Sequence, residues 1–309
     1  MGENTVRPGE NDVRQIVRSA LSEEVAAISR FPTGLVHRVY DVTCASGRQV
    51  VVRIARPQNE AILDNGLYWS RLLRPKGVPL PQILAHDLTN PSTPFPYMIL
   101  HRLPGNDLGL VYRDLNADQK KAIAQELIKI QNIVATLPRG AGFGHVARYD
   151  RPYPYPTWAA VVRGSLIRSR ARLQSSGLVD LAVVDLVESR LEQFEAYFDE
   201  VPPVPFLDDI TAKNVIVHDG KLSGIVDVDW IGFGDHTSVL ALTRMSLMAL
   251  GYPTDYVDYW AEALRLTGEQ HRVLDIYTAA CCLDFISDVT STKKRDGLQT
   301  ILSHLLSEL

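Results

Sequence analysis

One short segment constrains this chain more than any other, because polar side chains lie at the same end of a predicted hairpin. Asp209 is followed five positions later by Asn214, which leads directly into an apolar run at residues 215–217. An Asp-Gly turn at residues 218–221 follows, and a second apolar run ends at Asp227. Two apolar, β-branched runs around such a turn predict an antiparallel hairpin. Two carboxylates and one amide are therefore expected to lie close together.

These three polar residues have the chemistry that phosphoryl transfer requires. That reaction needs a carboxylate to orient the attacking hydroxyl, and oxygen ligands that hold Mg²⁺ against the phosphates. The sequence predicts Asp209 as the catalytic carboxylate and Asn214 with Asp227 as the Mg²⁺ ligands. Alternatively, Asp209 and Asn214 cap a turn, although a turn does not require Asp227. If the strand continues, Asp229 shares a face with Asp227 and is either a further ligand or a solvent-facing turn residue.

The composition is that of an ordinary globular protein. The chain has 309 residues, 46% apolar and 22% charged, enough for two lobes or one large domain. A net charge of −4 argues against nucleic acid as a partner. We expect neither a secretory leader at residues 1–4 nor a membrane span, since no apolar run reaches about 18 residues. Three cysteines, with Cys281 and Cys282 adjacent, favour reduced thiols in a cytoplasmic protein.

The order of predicted elements divides the chain near residue 103. Apolar residues from Val13 to Val25 recur at helical spacing and predict one amphipathic helix. The remaining elements expected in a small antiparallel lobe at residues 1–103 are strands at 36–43, 49–55, 82–86 and 97–103 and a helix at 58–74. Residues 104–309 are expected to be mainly helical. A capping box at Asn116 and Gln119 predicts the start of the first of these helices. One long helix is predicted at 178–199. The pair of strands near 215–227 is the only β-structure predicted in this part of the chain.

Four residues of the small lobe are candidates for binding a nucleotide. Arg53 lies inside an apolar strand, where a charge needs a partner, and its guanidinium would suit phosphate oxygens. Its expected partner in the following helix is Glu60 or, less favoured, Asp64; the alternative is an edge-strand arginine facing solvent. Gly34 precedes the first predicted strand. It could belong to a loop that covers the phosphates, or it could simply form a turn. The hinge between the lobes would offer backbone groups at His101 and Leu103 to the adenine edge.

The acceptor is less defined by the sequence. Five aromatic residues of the second lobe could line its pocket, beside Asp255, Asp258 and Glu262. Aromatic rings and carboxylates together would suit a cation, such as an amine. The favoured alternative is that the same residues pack helices together. The five aromatic residues are Trp158, Tyr252, Tyr256, Tyr259 and Trp260.

Over roughly residues 30–245 the pattern resembles the aminoglycoside phosphotransferase and choline kinase superfamily. The resemblance implies a protein-kinase-like α+β fold of two lobes, a small antiparallel β lobe with a helix and a larger, mainly helical lobe. Asp209 then resembles the catalytic base, Asn214 and Asp227 the Mg²⁺ ligands, and Arg53 the phosphate-contacting Lys or Arg. An Asp at 235, after Gly234, would accept backbone N–H groups of the catalytic loop. The shared features are Gly34, residues 50–55, 77–81, 103–105 and 209–214, 224–227 and Gly234-Asp235.

Two departures from the family pattern concern the catalytic loop and the segment after Gly234-Asp235. The loop carries Leu207-Asp208-Asp209 where the family has a His-Gly-Asp type of triplet, which removes a bracing histidine. Lys213 is expected to offset the extra charge of Asp208. Ser238-Val239 occupies a position where relatives often have an aspartate.

The sequence thus predicts an ATP- or GTP-dependent phosphotransferase with Mg²⁺ as cofactor. Its acceptor would be a hydroxyl of a small molecule, aminoglycoside- or choline-like, with cationic compounds among the candidates. The main alternative is a catalytically inactive pseudokinase of the same fold that binds nucleotide. A helical binding protein unrelated to kinases is the third reading, and it predicts no affinity for Mg²⁺–nucleotide.

Overall fold

The computed structural model describes residues 7–32, 37–88, 95–286 and 291–308. The first part of the chain forms a five-stranded antiparallel sheet with two helices. In chain order its elements are α1 (Glu10–Leu21), β1 (Val25–Arg30), β2 (Arg38–Cys44), β3 (Gln49–Ile54), α2 (Glu60–Leu73), β4 (Ile83–Asp87) and β5 (Tyr97–His101). The strand order is β1-β2-β3-β5-β4. The predicted hairpin of β2 and β3 is confirmed, with Tyr40 opposite Val52.

The start of the chain differs from the prediction of one helix reaching Val25. Helix α1 ends because Ser22 adopts a left-handed conformation with φ 58°, a conformation that cannot continue a right-handed helix. Residues 25–30 instead form an edge strand that pairs with β2. The strand shows no clean alternation between buried and exposed residues, so its sequence lacks the period-two signal. The apolar face of α1, with Val13, Ile16 and Val17, packs on one face of the sheet.

The rest of the chain is mainly helical, as predicted. In chain order its elements are β6 (Asn106–Asp107), α3 (Leu108–Val111), α4 (Ala117–Ala135), β7 (Gly144–Val146), α5 (Trp158–Ser176), α6 (Leu181–Glu192), α7 (Glu195–Glu200), β8 (Pro205–Phe206), β9 (Val215–His218), β10 (Lys221–Ile225), β11 (Ile231–Phe233), α8 (Thr237–Ala249), α9 (Asp255–Leu264), α10 (Gly268–Ile286) and α11 (Thr292–Glu308). No helix in the described ranges is long and apolar enough to span a membrane. The division at residues 103 and 104 stays a prediction.

Two expectations for this helical part were wrong in detail. The predicted helix at 178–199 is two helices, α6 and α7, because the first ends at its C-cap Gln193 and the second begins after Phe194. The strand pair near residue 220 is also accompanied by further β-structure. Strand β6 pairs with β9, and β11 pairs with both β7 and β8. These added strands have only two or three residues each, too few to show an alternating pattern.

Local signals were reliable where they were strong. The Asn116–Gln119 capping box opens α4, with Asn116 accepting from the Gln119 N–H at 2.9 Å and Gln119 accepting in return at 3.0 Å. The hairpin of β9 and β10 turns at Asp219 and Gly220, both with positive φ (49° and 72°). Two such residues make the turn whose twist matches that of paired strands. Asn214 directly precedes β9 and Asp227 follows β10 by two residues, so both lie at the open end of this hairpin.

Candidate functional site

The guanidinium of Arg53 joins the sheet to the loop that follows β10. Its Nη1 donates to Asp229 Oδ1 at 3.0 Å, and its Nη2 donates to Asp229 Oδ2 at 2.6 Å. The same Nη2 donates to Asp227 Oδ1 at 2.9 Å. The expectation that Arg53 pairs with Glu60 or Asp64 was therefore wrong, and so was the alternative of a solvent-facing side chain. Asp64 instead accepts from Arg148 at 2.8 Å.

A glycine in α2 makes the approach of Asp229 sterically feasible. A Cβ built on Gly66 would lie 2.4 Å from Asp229 Oδ1 and 3.6 Å from Arg53 Nη1. Real Cβ atoms do not approach an oxygen so closely, and the carboxylate is held by the arginine. The absent side chain thus leaves room for the ion pair between the helix and the loop.

A buried histidine completes the surroundings of Asp229. His37 Nε2 lies 3.8 Å from Asp229 Oδ2, and neither of its ring nitrogens has a hydrogen-bond partner among the described residues. Burial alone would raise the pKa of Asp229, but the charge of Arg53 and the contact with His37 outweigh it and lower the pKa to about 2. Asp229 is therefore a firmly ionised partner of Arg53. Nothing in the sequence pattern pointed to His37.

Asp227 differs from Asp229 in both exposure and backbone. Strand β10 ends at Ile225, two residues before the end expected from the sequence at Asp227, and Asp227 has a positive φ of 64°. Its side chain is 54% exposed to the cleft. Partial desolvation raises the pKa of the Asp227 carboxyl, and the negative charges of Asp229 and Asp209 add to that rise against the opposing effect of Arg53. Negative charge is thus in excess around Asp227.

Hydrogen bonds to backbone carbonyls bring Asp209, Asn214 and the residue before Asp227 together, as predicted from their spacing. Asn214 Nδ2 donates to the Asp209 carbonyl at 2.9 Å, which closes the loop between them. The Asn214 carbonyl accepts from the Val226 N–H at 2.9 Å, and this places the residue before Asp227 against Asn214. The Asp209 carboxylate accepts from Thr211 Oγ1 at 2.9 Å, so its orientation is fixed as well.

A glutamine braces the loop where relatives were expected to have a histidine. Gln131 of α4 donates through Nε2 to the Leu207 carbonyl at 2.8 Å and accepts from the Leu207 N–H at 2.9 Å. Both groups are buried, so the amide satisfies a donor and an acceptor that water cannot reach. Sequence reasoning missed Gln131, although a polar residue among the apolar positions of α4 was an available signal.

Asp208, the additional carboxylate of the loop, points towards an imidazole. His145 Nε2 of β7 lies 3.5 Å from Asp208 Oδ2. Burial raises the pKa of Asp208, His145 opposes this rise, and the adjacent charge of Asp209 adds to it. Lys213 was expected to offset Asp208, but it is exposed and lines a cavity with Asp209, and the cation that acts on Asp208 is His145.

The hinge residues are placed at the end of β5, which stops at His101, two residues short of the predicted end. The His101 N–H donates to the Gln82 carbonyl at 2.8 Å. The Leu103 carbonyl accepts from Arg102 Nη1 at 2.5 Å, and Arg102 also contacts Asp41 at 3.2 Å. The Arg102 side chain thus covers the hinge. Gly34, the candidate phosphate-loop residue, lies outside the described residues.

Asp235 does not contact the catalytic loop, contrary to expectation. Its Oδ1 accepts from the Thr237 N–H at 2.9 Å and so caps α8. Its Oδ2 accepts from the hydroxyls of Tyr197 at 2.9 Å and Tyr277 at 3.1 Å. Trp158 in turn donates to the Tyr277 hydroxyl at 2.6 Å. This buried network ties four helices together, because its residues belong to α5, α7, α8 and α10 or precede them directly.

The aromatic residues considered for an acceptor pocket mostly pack helices. Tyr256 and Trp260 are buried in the core, and Trp158 belongs to the network around Asp235. The carboxylate of Asp255 already has a cation, since Lys120 Nζ lies 2.9 Å from its Oδ2. Lys121 Nζ lies 4.8 Å from the ring centroid of Tyr259. The helix-packing alternative is confirmed for Trp158, Tyr256 and Trp260.

A cavity of about 500 Å³ adjoins Asp209 on the helical side of the cleft. Its walls come from the start of α3, the catalytic loop and helices α8, α10 and α11. Of the five aromatic residues above, Tyr252 alone lines it. The cavity places a space for a small molecule directly beside the oriented carboxylate.

The five-stranded sheet and the helical part are arranged as the two lobes of a protein-kinase-like fold, and in class the chain is a small-molecule phosphotransferase. More particularly, it belongs to the phosphotransferase enzyme family APH, whose model matches residues 27–272. A search of curated proteins found no match.

Solved structures of similar fold include aminoglycoside phosphotransferases and a protein named for fructosamine-3-kinase activity. The aminoglycoside phosphotransferase APH(4)-Ia is 16% identical, with a TM-score of 0.70 over 97% of this chain and 99% of that chain. The phosphotransferase APH(2")-IIa, solved as a ternary complex with streptomycin and ATP, is 13% identical, with a TM-score of 0.66 over 98% and 97%. A proposed fructosamine-3-kinase from Thermobifida fusca is 17% identical, with a TM-score of 0.64 over 97% of this chain and 100% of that chain. At such identities the likeness shows the fold.

Proposed function

We propose that this protein transfers the γ-phosphoryl group of ATP to a hydroxyl of a small molecule. The observation that carries the proposal is the set of hydrogen bonds that joins Asp209 to Asn214, Asn214 to the residue before Asp227, and Asp227 to the Arg53 guanidinium. A turn that needed only caps would not gather these groups opposite a buried cation. Membership in a phosphotransferase family supports the same reaction.

Asp209 is proposed to act on the acceptor. Its carboxylate, oriented by Thr211, accepts the proton of the acceptor hydroxyl while that oxygen forms a bond to the γ-phosphorus. The bond between the γ-phosphorus and the oxygen that bridges to the β-phosphorus breaks, and ADP leaves with that electron pair. Positioning of the two reactants supplies most of the acceleration in such a reaction.

The excess of negative charge at the cleft fits a divalent cation. Asp227, Asp229 and Asp209 face one guanidinium, and the pKa of Asp227 is raised by desolvation and by its carboxylate neighbours. Asp227 and the side-chain oxygen of Asn214 would hold Mg²⁺, which takes its remaining ligands from water and phosphate. When bound, Mg²⁺ would neutralise charge on the transferring phosphoryl group. The fixed geometry of Arg53 would let its guanidinium contact phosphate oxygens from the sheet side.

The nucleotide is proposed to lie between the sheet and the hairpin, with its base against the hinge at His101 and Leu103. Gly34 is proposed to belong to a loop that covers the phosphates. The proposal also places the boundary between the lobes at residues 103 and 104. Structures of related fold support nucleotide binding, since APH(4)-Ia was solved with AMP-PNP and hygromycin B and APH(2")-IIa with ATP and streptomycin. We propose ATP as the donor, with GTP as the alternative.

A pseudokinase that binds nucleotide without turnover is the second candidate. It is favoured by one observation, the 2.9 Å bond from Arg53 to Asp227, which occupies an oxygen of the proposed metal ligand. The two candidates differ in whether Mg²⁺ strengthens nucleotide binding and in whether ADP is produced.

Thermal unfolding with ATP or GTP, each with and without Mg²⁺, tests the proposal. A ligand at 100 times its Kd stabilises the folded state by about 2.7 kcal/mol, which shifts the midpoint by several degrees. We expect a Mg²⁺-dependent shift that Asp227→Asn abolishes. Asp219→Asn is the matched control, because Asp219 also has positive φ, in an exposed turn away from the cleft. A shift that ignores Mg²⁺ supports the pseudokinase, and no shift with either nucleotide rejects both candidates.

The role of Asp209 is tested by turnover. Asp209→Ala should lower the rate of ADP formation by roughly 10²-fold or more, the range for loss of a general base. Nucleotide binding should stay nearly unchanged, because Asp209 does not contact Arg53. Full activity in Asp209→Ala would show that another group accepts the proton.

A further inference from the structure

The cavity beside Asp209 differs chemically from a site built for a polycation. Its volume of about 500 Å³ lies within the range of pockets that hold drug-sized molecules. Most of its wall is aliphatic or aromatic, supplied by one face of α8, by the end of α10 and by α11. The side chains that define this wall are Leu110, Leu242, Met245, Leu250, Phe285 and Leu298.

The charges of the described wall balance. Two carboxylates, Asp107 and Asp209, are matched by two ammonium groups, Lys213 and Lys294. Burial also raises the pKa of Asp107, so its charge is disfavoured in this environment. The acidic residues of α9 that could attract a cation lie elsewhere, and Asp255 is already paired with Lys120. A ligand with several ammonium groups would therefore lose hydration in this cavity without gaining counter-charges.

The wall also exposes apolar area to solvent. Leu110 is 74% exposed, and Leu250 and Phe285 are 44% and 38% exposed. Large apolar side chains gathered around one cavity are characteristic of a site that takes up an apolar ligand. Here they surround the entrance to an oriented carboxylate, so the ligand must also present a hydroxyl.

We infer that the acceptor is an uncharged hydroxyl compound with an extended apolar body, and not a polycation. This inference rests on the proposed function, because it assigns the hydroxyl of that compound to Asp209. The apolar body would pack against Leu242, Met245 and Phe285 while the hydroxyl reaches the carboxylate. Ser246, on the same face of α8, and Thr211 of the loop beside Asp209 contribute small hydroxyl groups to the described wall.

Binding of simple probes tests the inference. The probes are 1-hexanol and 1-octanol, with hygromycin B and streptomycin as polycations, each titrated calorimetrically into the Mg²⁺–ATP-loaded protein bearing Asp209→Ala. Burial of each added methylene should tighten binding about fourfold, so octanol, with two more methylenes, should bind roughly 16-fold more tightly than hexanol. Both polycations should bind more weakly than octanol. Tighter binding of either polycation, or equal affinity for the two alcohols, overturns the inference.

Substitutions in the wall locate the binding site. Leu242→Glu and, separately, Ser246→Glu should weaken octanol binding about tenfold or more, since each places a carboxylate against the apolar body. Leu186→Glu on α6 is the matched control, because Leu186 is exposed and outside the cavity. The Ser246 variant keeps the test valid if Leu242→Glu fails to fold. Octanol affinity unchanged in the folded variants overturns the inference.

The two proposals fail in different ways. Nucleotide binding is measured in the same samples, before any alcohol is added. Absence of a Mg²⁺-dependent nucleotide signal rejects the proposed function, and with it the assignment of the hydroxyl to Asp209. A normal nucleotide signal with preferred binding of hygromycin B or streptomycin rejects only the apolar acceptor.

Discussion

Arg53 on the sheet and Asp229 beyond the hairpin, 176 residues apart, form a bidentate ion pair with distances of 3.0 and 2.6 Å. The pair is buried and links the two lobes at the point where the phosphates are proposed to lie. Because Asp229 takes both nitrogens, it fixes the plane of the guanidinium. We therefore regard Asp229 as a positioning residue for Arg53.

Asp229→Asn should weaken nucleotide binding as well as lower the stability of the fold. The variant loses a charged hydrogen bond, worth about 1.5–3 kcal/mol, and leaves Arg53 paired with Asp227 alone. We expect ATP affinity to fall about tenfold in a binding titration. Asp275→Asn, which removes the partner of Arg244 in the helical lobe, is the control. It should lower stability without changing ATP affinity, and equal affinity losses in both variants would contradict a positioning role.

Gly66→Ala should destabilise the protein although alanine is the better helix former. In an open helix the change would stabilise by about 1 kcal/mol, but here the Cβ would lie 2.4 Å from Asp229 Oδ1. We expect a loss of about 1–3 kcal/mol in chemical unfolding, typical of overpacking, with weaker nucleotide binding. Gly297→Ala in α11 is the control, because its Cβ meets no atom within 4 Å. It should raise stability, and equal effects at both positions would reject the proposed clash.

Gln131→Leu should slow turnover more than it weakens nucleotide binding. The variant leaves the buried N–H and C=O of Leu207 without partners, a cost of about 1–3 kcal/mol for each group. The loop that carries Asp209 then loses its brace while Arg53 and Asp227 keep theirs. We expect kcat to fall while the Kd for ATP changes little, in steady-state and binding measurements. Gln125→Leu, at an exposed site on the same helix, should leave both unchanged.

Asp208→Asn should stabilise the protein at neutral and basic pH. The pKa of Asp208 is raised in the folded state, chiefly by burial, so the ionised carboxylate opposes folding above that pKa. This destabilisation shrinks as pH falls from the raised pKa of the folded state towards the ordinary carboxyl pKa of about 4. Urea unfolding of variant and parent across this range should show a gain in stability at pH 8 that shrinks towards pH 4. A gain that grows towards acid pH would reverse the assigned shift. Asp199→Asn, at an exposed carboxyl, is the control.

The proximity of the proposed catalytic and metal-binding residues could be predicted because they flank one hairpin. Asp209, Asn214 and Asp227 lie within a span that two short strands and a turn fold back on itself, so spacing determines proximity. The partner of Arg53 could not be predicted in this way. Asp229 lies in a different lobe, and its approach depends on the absence of a side chain at Gly66.

Other omissions have similar physical causes. Gln131 contacts Leu207 across 76 residues, and only a packed structure shows which backbone groups it meets. Strand β1 lacks alternation because both of its faces are partly exposed. The helix-packing alternative was correct for Trp158, Tyr256 and Trp260. The sequence could not show which charged residues line the cavity, because those residues come from distant parts of the chain.

Gln131, which braces the loop of Asp209, is not among the residues that line the cavity. Gln131 and the hairpin hold Asp209, whereas Asp235 and its two tyrosines anchor the helices whose exposed faces form the wall. Substitutions on the face of α8 that lines the cavity should therefore leave Asp209, Asn214 and Asp227 in place. In evolutionary terms, a lineage of such enzymes can exchange one acceptor for another by drift along a single helix face, while selection on the chemistry itself acts elsewhere in the molecule.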